Sequence, residues 1–177
     1  MADAPRAEDQ PRPTVLLLVY SWDLLLAILA VFGALAPFAG GLVTSSGSSV
    51  SIALPLQIVL ALSSAAYAAV LIIVASLLTR RRRWVRMMQM EIMGIAIALA
   101  MLSLLVSWVI GADLPLVSLL GILFFVLLDV LTIVLMTERR VIDWYTEPGS
   151  APRYATATLA FWTLTGCAVI ALLVVVR

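Results

Sequence analysis

Residues 114–136 read LPLVSLLGILFFVLLDVLTIVLM and contain one charged side chain, Asp129. As a helix, these 23 residues would extend about 35 Å. That length is enough to cross the hydrocarbon core of a bilayer, which is about 30 Å thick. The stretch therefore predicts a transmembrane helix that places a carboxyl group inside the membrane.

Four further stretches of the chain have the same character. Of the 177 residues, 64% are hydrophobic and 12% are charged, whereas soluble domains have about 25% charged residues. We therefore predict an all-α bundle of five transmembrane helices in one domain, residues 14–177, preceded by a disordered cytoplasmic tail, residues 1–13. The other four spans are predicted at about residues 14–38, 52–79, 87–110 and 155–176.

The arginines predict the orientation of this bundle. With five spans, the N-terminal tail and the connections after the second and fourth spans share one side of the membrane, and they carry ten of the eleven basic residues. Positive residues accumulate in cytoplasmic loops, which predicts a cytoplasmic N-terminus and an external C-terminus. Arginine without lysine, in a chain rich in Ala, Val and Leu, favours a bacterial inner membrane. The ten residues are Arg6, Arg12, Arg80, Arg81, Arg82, Arg83, Arg86, Arg139, Arg140 and Arg153.

The run from Arg80 to Arg86 has two interpretations. It is an anchor that fixes topology, with Trp84 at the membrane interface, or it binds anionic lipid headgroups, to which each arginine contributes about 1 kcal/mol. Arg139 and Arg140 are expected to be a second interfacial anchor. The predicted partners are the lipid bilayer, anionic headgroups at the cytoplasmic face, and a membrane-protein partner or second copies of the chain. Nucleic acid is excluded because the cluster lies against the membrane.

The residue types that are missing restrict the chemistry. The sequence has no histidine, lysine or asparagine and a single cysteine, Cys167. Imidazole ligands, Schiff-base lysines, histidine general bases and dithiol pairs are therefore absent. We predict that the protein is not an enzyme and that it has no catalytic residue, no metal site and no cofactor.

Three acids lie within the predicted spans, namely Asp23, Glu91 and Asp129. A charge at the centre of a membrane helix costs about 2.5–3.5 kcal/mol, so such residues are candidates for function. At the helical rise, Asp23 lies about 15 Å, Asp129 about 13 Å and Glu91 about 7 Å from the cytoplasmic side. Asp23 and Asp129 are therefore expected at a similar depth.

Each acid also has a structural interpretation. Glu91 pairs with Arg86 or lies at the interface. Asp129 has no base on its own helix, and it is either functional or a protonated, hydrogen-bonded structural residue. Asp23 is functional or is a buried acid bonded to a nearby hydroxyl, the candidates being Tyr20, Ser21 and Tyr67.

Small residues share helix faces with two of the acids. Glu91, Gly94 and Ala98 lie on one face of the third span, where Gly94 and Ala98 form a small-x-x-x-small pattern. Gly121 lies on the face of the fourth span that carries Asp129. We expect such faces to point inward, toward other helices.

The order of features resembles a group of known proteins. Arg12-Pro13 leads into the first span, Arg81-Arg82-Arg83-Trp84 separates the second and third, and a charged stretch after the fourth closes on Trp144-Tyr145. This order resembles the small, functionally uncharacterised four-span membrane proteins of bacteria, over about residues 11–145. The fifth span departs from that pattern. The resemblance implies a fold and no activity, and no site residue is carried over from it.

Two functions are consistent with these observations. The first is a small inner-membrane protein without a catalytic site that acts as a bilayer-embedded structural or accessory subunit. The second is a small transporter or proton-coupled permeation protein that uses Asp23 and Asp129. A cavity open to one side, with these acids facing it, would favour the second.

Overall fold

The computed structural model describes residues 12–39, 42–43, 49–50, 54–111 and 114–175, and it confirms the predicted all-α bundle. Five helices in this part of the chain are long and apolar enough to cross a membrane. A short sixth helix, α5, lies between the last two of them. The helices are α1 (Val15–Leu35), α2 (Leu54–Leu77), α3 (Arg83–Val109), α4 (Leu116–Met136), α5 (Arg139–Trp144) and α6 (Arg153–Val175).

The ends of the helices follow local backbone signals. Arg82 is extended, with ψ of 127°, and α3 begins directly after it, four residues before the predicted start of the third span. Gly111 has φ of +65°, a left-handed conformation that glycine adopts readily where a helix ends. Glu138, with ψ of 136°, interrupts the helical backbone after α4, so α5 is a separate element.

The connection between α1 and α2 is rich in glycine and serine. A 3-10 turn, Ala36–Phe38, extends α1. Two short strands follow, β1 (Leu42–Val43) and β2 (Ser49–Val50), which pair antiparallel with Leu42 opposite Val50. The rest of that connection and residues 1–11 of the predicted disordered tail, Arg6 among them, lie outside the described residues.

The helices pack in an order that differs from their order in the chain. α1 lies on α2, α2 lies on α6, and α3 lies on α4 and touches α6. We call the end of the bundle that carries the arginines the arginine end. It comprises the start of α1, the α2–α3 connection and the segment from α4 to α6, with Arg12, Arg80–Arg83, Arg139, Arg140 and Arg153.

The core is concentrated at the arginine end. In α3 no residue after Met93 is buried, and in α4 no residue before Asp129 is buried. The bundle is therefore closely packed in one half and loosely packed in the other. The largest fully buried apolar side chains of the packed half are Val19, Val70, Leu71, Val74, Val85, Ile92, Met93, Met136 and Val141.

Backbone hydrogen bonds close the arginine end. The N–H of Arg83 donates to the carbonyl of Glu147, and the N–H of Glu147 donates to the carbonyl of Arg81, both at 3.0 Å. The hydroxyl of Tyr145 donates to the carbonyl of Leu78 at 2.9 Å. These bonds attach the segment after α5 to the α2–α3 connection.

Candidate functional site

A pair of buried polar side chains links α1 to α3. Gln89 Nε2 donates to Asp23 Oδ1 at 2.7 Å, and both residues have 0% exposure. Asp23 Oδ2 and Gln89 Oε1 are buried and have no hydrogen-bond partner among the described residues. This contact differs from the predicted ones, because the donor is an amide on α3 and not a hydroxyl of Tyr20, Ser21 or Tyr67.

A second polar contact links α1 to α4. Trp22 Nε1 donates to Asp129 Oδ1 at 3.2 Å, and the Trp22 ring stacks on Phe125 with 5.8 Å between ring centroids. Successive residues of a helix point about 100° apart. Trp22 therefore reaches α4 while its neighbour Asp23 reaches α3, and each acid has a donor of its own.

A cavity lies in the loosely packed half of the bundle. Its volume is about 480 Å³, it is open, and all five long helices line it. Its walls include the second half of α1, from Leu26 to Gly33, and the middle of α2, from Leu60 to Tyr67. Because α1 begins and α2 ends at the arginine end, the cavity occupies the opposite half.

The cavity wall is mostly apolar, with a few polar groups. Among the described residues, Asp129 is the one charged residue that lines it, and Ser63, Ser64, Ser103 and Tyr67 contribute hydroxyls. Tyr67 stacks on Trp162 with 4.6 Å between the ring centroids and 17° between the planes. A mostly apolar pocket with a few convergent polar groups is typical of a site for a small molecule.

The structure places the three predicted acids in different environments. Asp23 is fully buried and does not line the cavity, whereas Asp129 is 5% exposed and lines it. The charge of Asp129 acts on Asp23, so the two acids lie in one region of the bundle. Glu91 is exposed on the outer surface of α3 and belongs to neither contact.

The face of small residues next to Glu91 points away from the bundle. Gly94 and Ala98 are exposed, and a Cβ at Gly94 would have no atom within 4 Å. The expected inward orientation of this face is therefore wrong. Gly166 of α6 instead provides a close helix approach, since a Cβ there would lie 2.8 Å from Leu99 Cδ1.

The arginines predicted to contact lipid headgroups, at positions 80–83, 86, 139 and 140, divide into exposed side chains and side chains packed against the protein. Arg86 Nη1 donates to the carbonyl of Met136 at 3.2 Å, a contact with the end of α4 and not with Glu91. The Arg81 guanidinium lies 4.0 Å from the centroid of the Trp144 ring, a favourable cation–π distance. The exposed members are Arg80, Arg82, Arg83, Arg139 and Arg140.

Gln89 is not among the residues predicted from the sequence, because the candidates within the spans were charged side chains and Gln89 is neutral. The sequence did contain a signal for Gln89, because it is the one amide side chain of α3. It lies one turn from Met93, on the same buried face of that helix. Within the described residues, no three His, Cys, Asp or Glu side chains are placed to hold a metal ion.

Comparison with known proteins gave no relative. No protein family matches this chain, and no curated protein or solved structure is significantly similar to it.

Proposed function

We propose that the protein is a small transporter or permeation protein that binds an apolar organic cation in the central cavity. The observation that carries this proposal is the position of Asp129, the one charged residue that the described part of the chain places in the wall of an open apolar cavity of about 480 Å³. Ligand pockets for small molecules have volumes of about 300–1,000 Å³. The cavity therefore has room for a molecule of that class.

The cavity wall favours an aromatic or aliphatic cation over an anion. A carboxylate attracts a positive group, and no basic residue lines the cavity among the described residues. The stacked rings of Tyr67 and Trp162 offer an aromatic surface, which attracts cations with their apolar substituents. The protein would act without catalysis, by binding its ligand and releasing it.

The proposal includes an orientation. The positive-inside rule places the arginine end in the cytoplasm of a bacterium, so the cavity would open to the external face of the inner membrane. In this orientation the closely packed half of the bundle separates the cavity from the cytoplasm. Arg80, Arg82 and Arg83, which are exposed at that end, would contact anionic headgroups.

Binding of ethidium, an aromatic monovalent cation, tests the proposed function. The fluorescence of ethidium titrated into the purified protein in lipid nanodiscs is expected to increase and saturate. Asp129→Asn is expected to weaken binding by about tenfold or more, because a charge-assisted contact is lost. Glu91→Gln removes an acid from the exposed face of α3 and is the matched control. Absence of saturable binding to the parent protein would refute the proposal.

The orientation has a separate test. Thr146→Cys, an exposed position at the arginine end, is combined with Cys167→Ala. A membrane-impermeant maleimide should label this cysteine in inverted vesicles and not in intact cells. Leu114→Cys, exposed at the opposite end of the bundle, should give the reverse pattern. Labelling of Thr146→Cys in intact cells would contradict the proposed orientation.

A second candidate function is that of an accessory subunit, and the outward face of α3 favours it. Gly94 and Ala98 are small and exposed on the outer surface, and such pairs allow a second helix to approach closely. Extraction in a gentle detergent should then co-purify a partner in fixed ratio, and Gly94→Leu should release it. Recovery of the monomer alone would count against this function.

A further inference from the structure

The contact between Asp23 and Gln89 has an incomplete set of hydrogen bonds. One bond is present, from Gln89 Nε2 to Asp23 Oδ1 at 2.7 Å. The second oxygen of the acid, Oδ2, and the oxygen of the amide, Oε1, are both buried without a partner among the described residues. Both oxygens are acceptors as long as the acid is ionised, and an unsatisfied buried polar atom is costly.

A proton on Asp23 completes this set. A carboxylic acid and a primary amide are complementary: the acid O–H donates to the amide oxygen, while the amide N–H donates to the acid carbonyl. The two side chains then close a ring with two hydrogen bonds. The structure contains one of these bonds, and the two oxygens that the other bond would join are both buried without a partner among the described residues.

Among the described residues, no cation forms an ion pair or hydrogen bond with Asp23. The described titratable groups that interact with it include Asp129 of α4, Tyr67 of α2 and Tyr145 after α5, none of which is a cation. Arg12, before α1, acts on Tyr145. Arg86, one turn from Gln89 on α3, directs its Nη1 to the Met136 carbonyl.

We propose that Asp23 and Gln89 form a proton-binding site that fastens α1 to α3 in the closely packed half of the bundle. With the proton bound, the acid–amide ring holds the two helices together. When the proton leaves to water, the ionised Oδ2 and the amide Oε1 are two buried acceptors without a donor, so separation of α1 from α3 becomes favourable.

This site would couple proton movement to the cavity, a role that rests on the proposed function. Trp22, the neighbour of Asp23 on α1, bonds to Asp129 in the cavity wall. A movement of α1 away from α3 would therefore change both the packing of the closely packed half and the hydrogen bond between Trp22 and Asp129. Release of the proton at Asp23 would open the cavity toward the arginine end.

Infrared spectroscopy of the protein in lipid nanodiscs tests the proton site without any ligand. At neutral pH the parent should show a carboxylic-acid C=O band that is absent in Asp23→Asn and retained in Asp129→Asn and Glu91→Gln. Gln89→Leu should shift this band to higher frequency, because the acid loses its hydrogen bonds. If the spectra of the parent and Asp23→Asn agree in this region, the proton site is refuted.

Asp23→Asn also tests the coupling. An asparagine forms the same two-bond ring with Gln89 and has no proton to release, so it should keep the helices fastened. In proteoliposomes this variant should bind ethidium as the parent does but lose uptake driven by a pH gradient. Driven uptake at the parent rate would refute the coupling.

The two tests separate the two proposals. A carboxylic-acid band at Asp23 in a protein that binds no ethidium would refute the proposed function and leave the proton site standing. Saturable ethidium binding in a protein without that band would do the opposite.

Discussion

The amide of Gln89 donates to the carboxyl group of Asp23 at 2.7 Å, across 66 positions of sequence, and both side chains are fully buried. This bond joins the first half of α1 to the first half of α3. It lies in the closely packed half of a bundle whose other half surrounds an open cavity. The closely packed half therefore contains a buried polar contact. The stability of this half depends on whether the polar atoms of Asp23 and Gln89 have hydrogen-bond partners.

Gln89→Leu should destabilise the protein more than Asp23→Asn does. Leucine removes the donor and leaves a buried carboxyl oxygen without a partner, at a cost of about 1–3 kcal/mol. Asparagine at position 23 keeps a complementary pair of hydrogen bonds with Gln89. The midpoint of unfolding in mixed detergent micelles, followed by circular dichroism, measures the difference.

The matched control for this comparison is Gln57→Leu, which removes a partly buried amide from the first turn of α2. This turn lies at the end of the bundle away from the arginine end. It should lower the midpoint less than Gln89→Leu. Equal stability of Gln89→Leu and the parent would show that the buried contact contributes nothing to folding.

Trp22→Phe should weaken the contact between α1 and α4 while retaining ring stacking. The substitution removes the N–H that donates to Asp129 and leaves an aromatic ring beside Phe125. The loss should be about 1 kcal/mol, the usual net value of a hydrogen bond, measured as the free energy of unfolding in mixed micelles. Trp108→Phe, at a position 78% exposed, should change nothing. A loss of equal size at both positions would contradict the role given to Trp22.

The sequence predicted the spans well because hydrophobicity over about 20 residues depends on the bilayer and not on tertiary contacts. The same helical rise predicts a similar depth for Asp23 and Asp129, and the structure brings the two acids into one region. Helix existence and residue depth are local properties of the chain. They could therefore be predicted without knowing which helices are neighbours.

The partners of the acids could not be predicted in this way. Gln89 bonds to Asp23 because the bundle brings side chains of α1 and α3 together, and the sequence contains no signal for that pairing. The outward position of Gly94 has the same origin, since a face of small residues points inward only if a helix lies opposite it. α5 was missed because it is only six residues long.

Gly166→Val should destabilise the contact between α6 and α3. A Cβ at position 166 would lie 2.8 Å from Leu99 Cδ1, so Leu99 must move, and overpacking of this kind costs about 1–3 kcal/mol. Gly121→Ala is the control, since a Cβ there meets no atom within 4 Å and alanine favours a helix. Thermal unfolding in detergent should show a lower midpoint for the first variant only. A lower midpoint for Gly121→Ala alone would contradict this account of the packing.

Tyr145→Phe should make the protein less stable at neutral pH and less sensitive to alkali. The Tyr145 hydroxyl donates to the carbonyl of Leu78, and loss of this bond costs about 1 kcal/mol. Burial raises the pKa of Tyr145 above the ordinary value for tyrosine. The unfolded chain therefore loses this proton at a lower pH than the native protein does.

The stabilising effect of that difference is complete below about pH 10, the ordinary pKa of tyrosine, and declines as the pH rises further. The free energy of unfolding should thus fall less steeply above this pH in Tyr145→Phe than in the parent. Denaturant titrations in mixed micelles over a series of alkaline pH values measure both slopes. Tyr154→Phe, at an exposed position, should match the parent at neutral pH. Equal alkaline slopes for Tyr145→Phe and the parent would show that ionisation of this phenol does not limit stability in alkali.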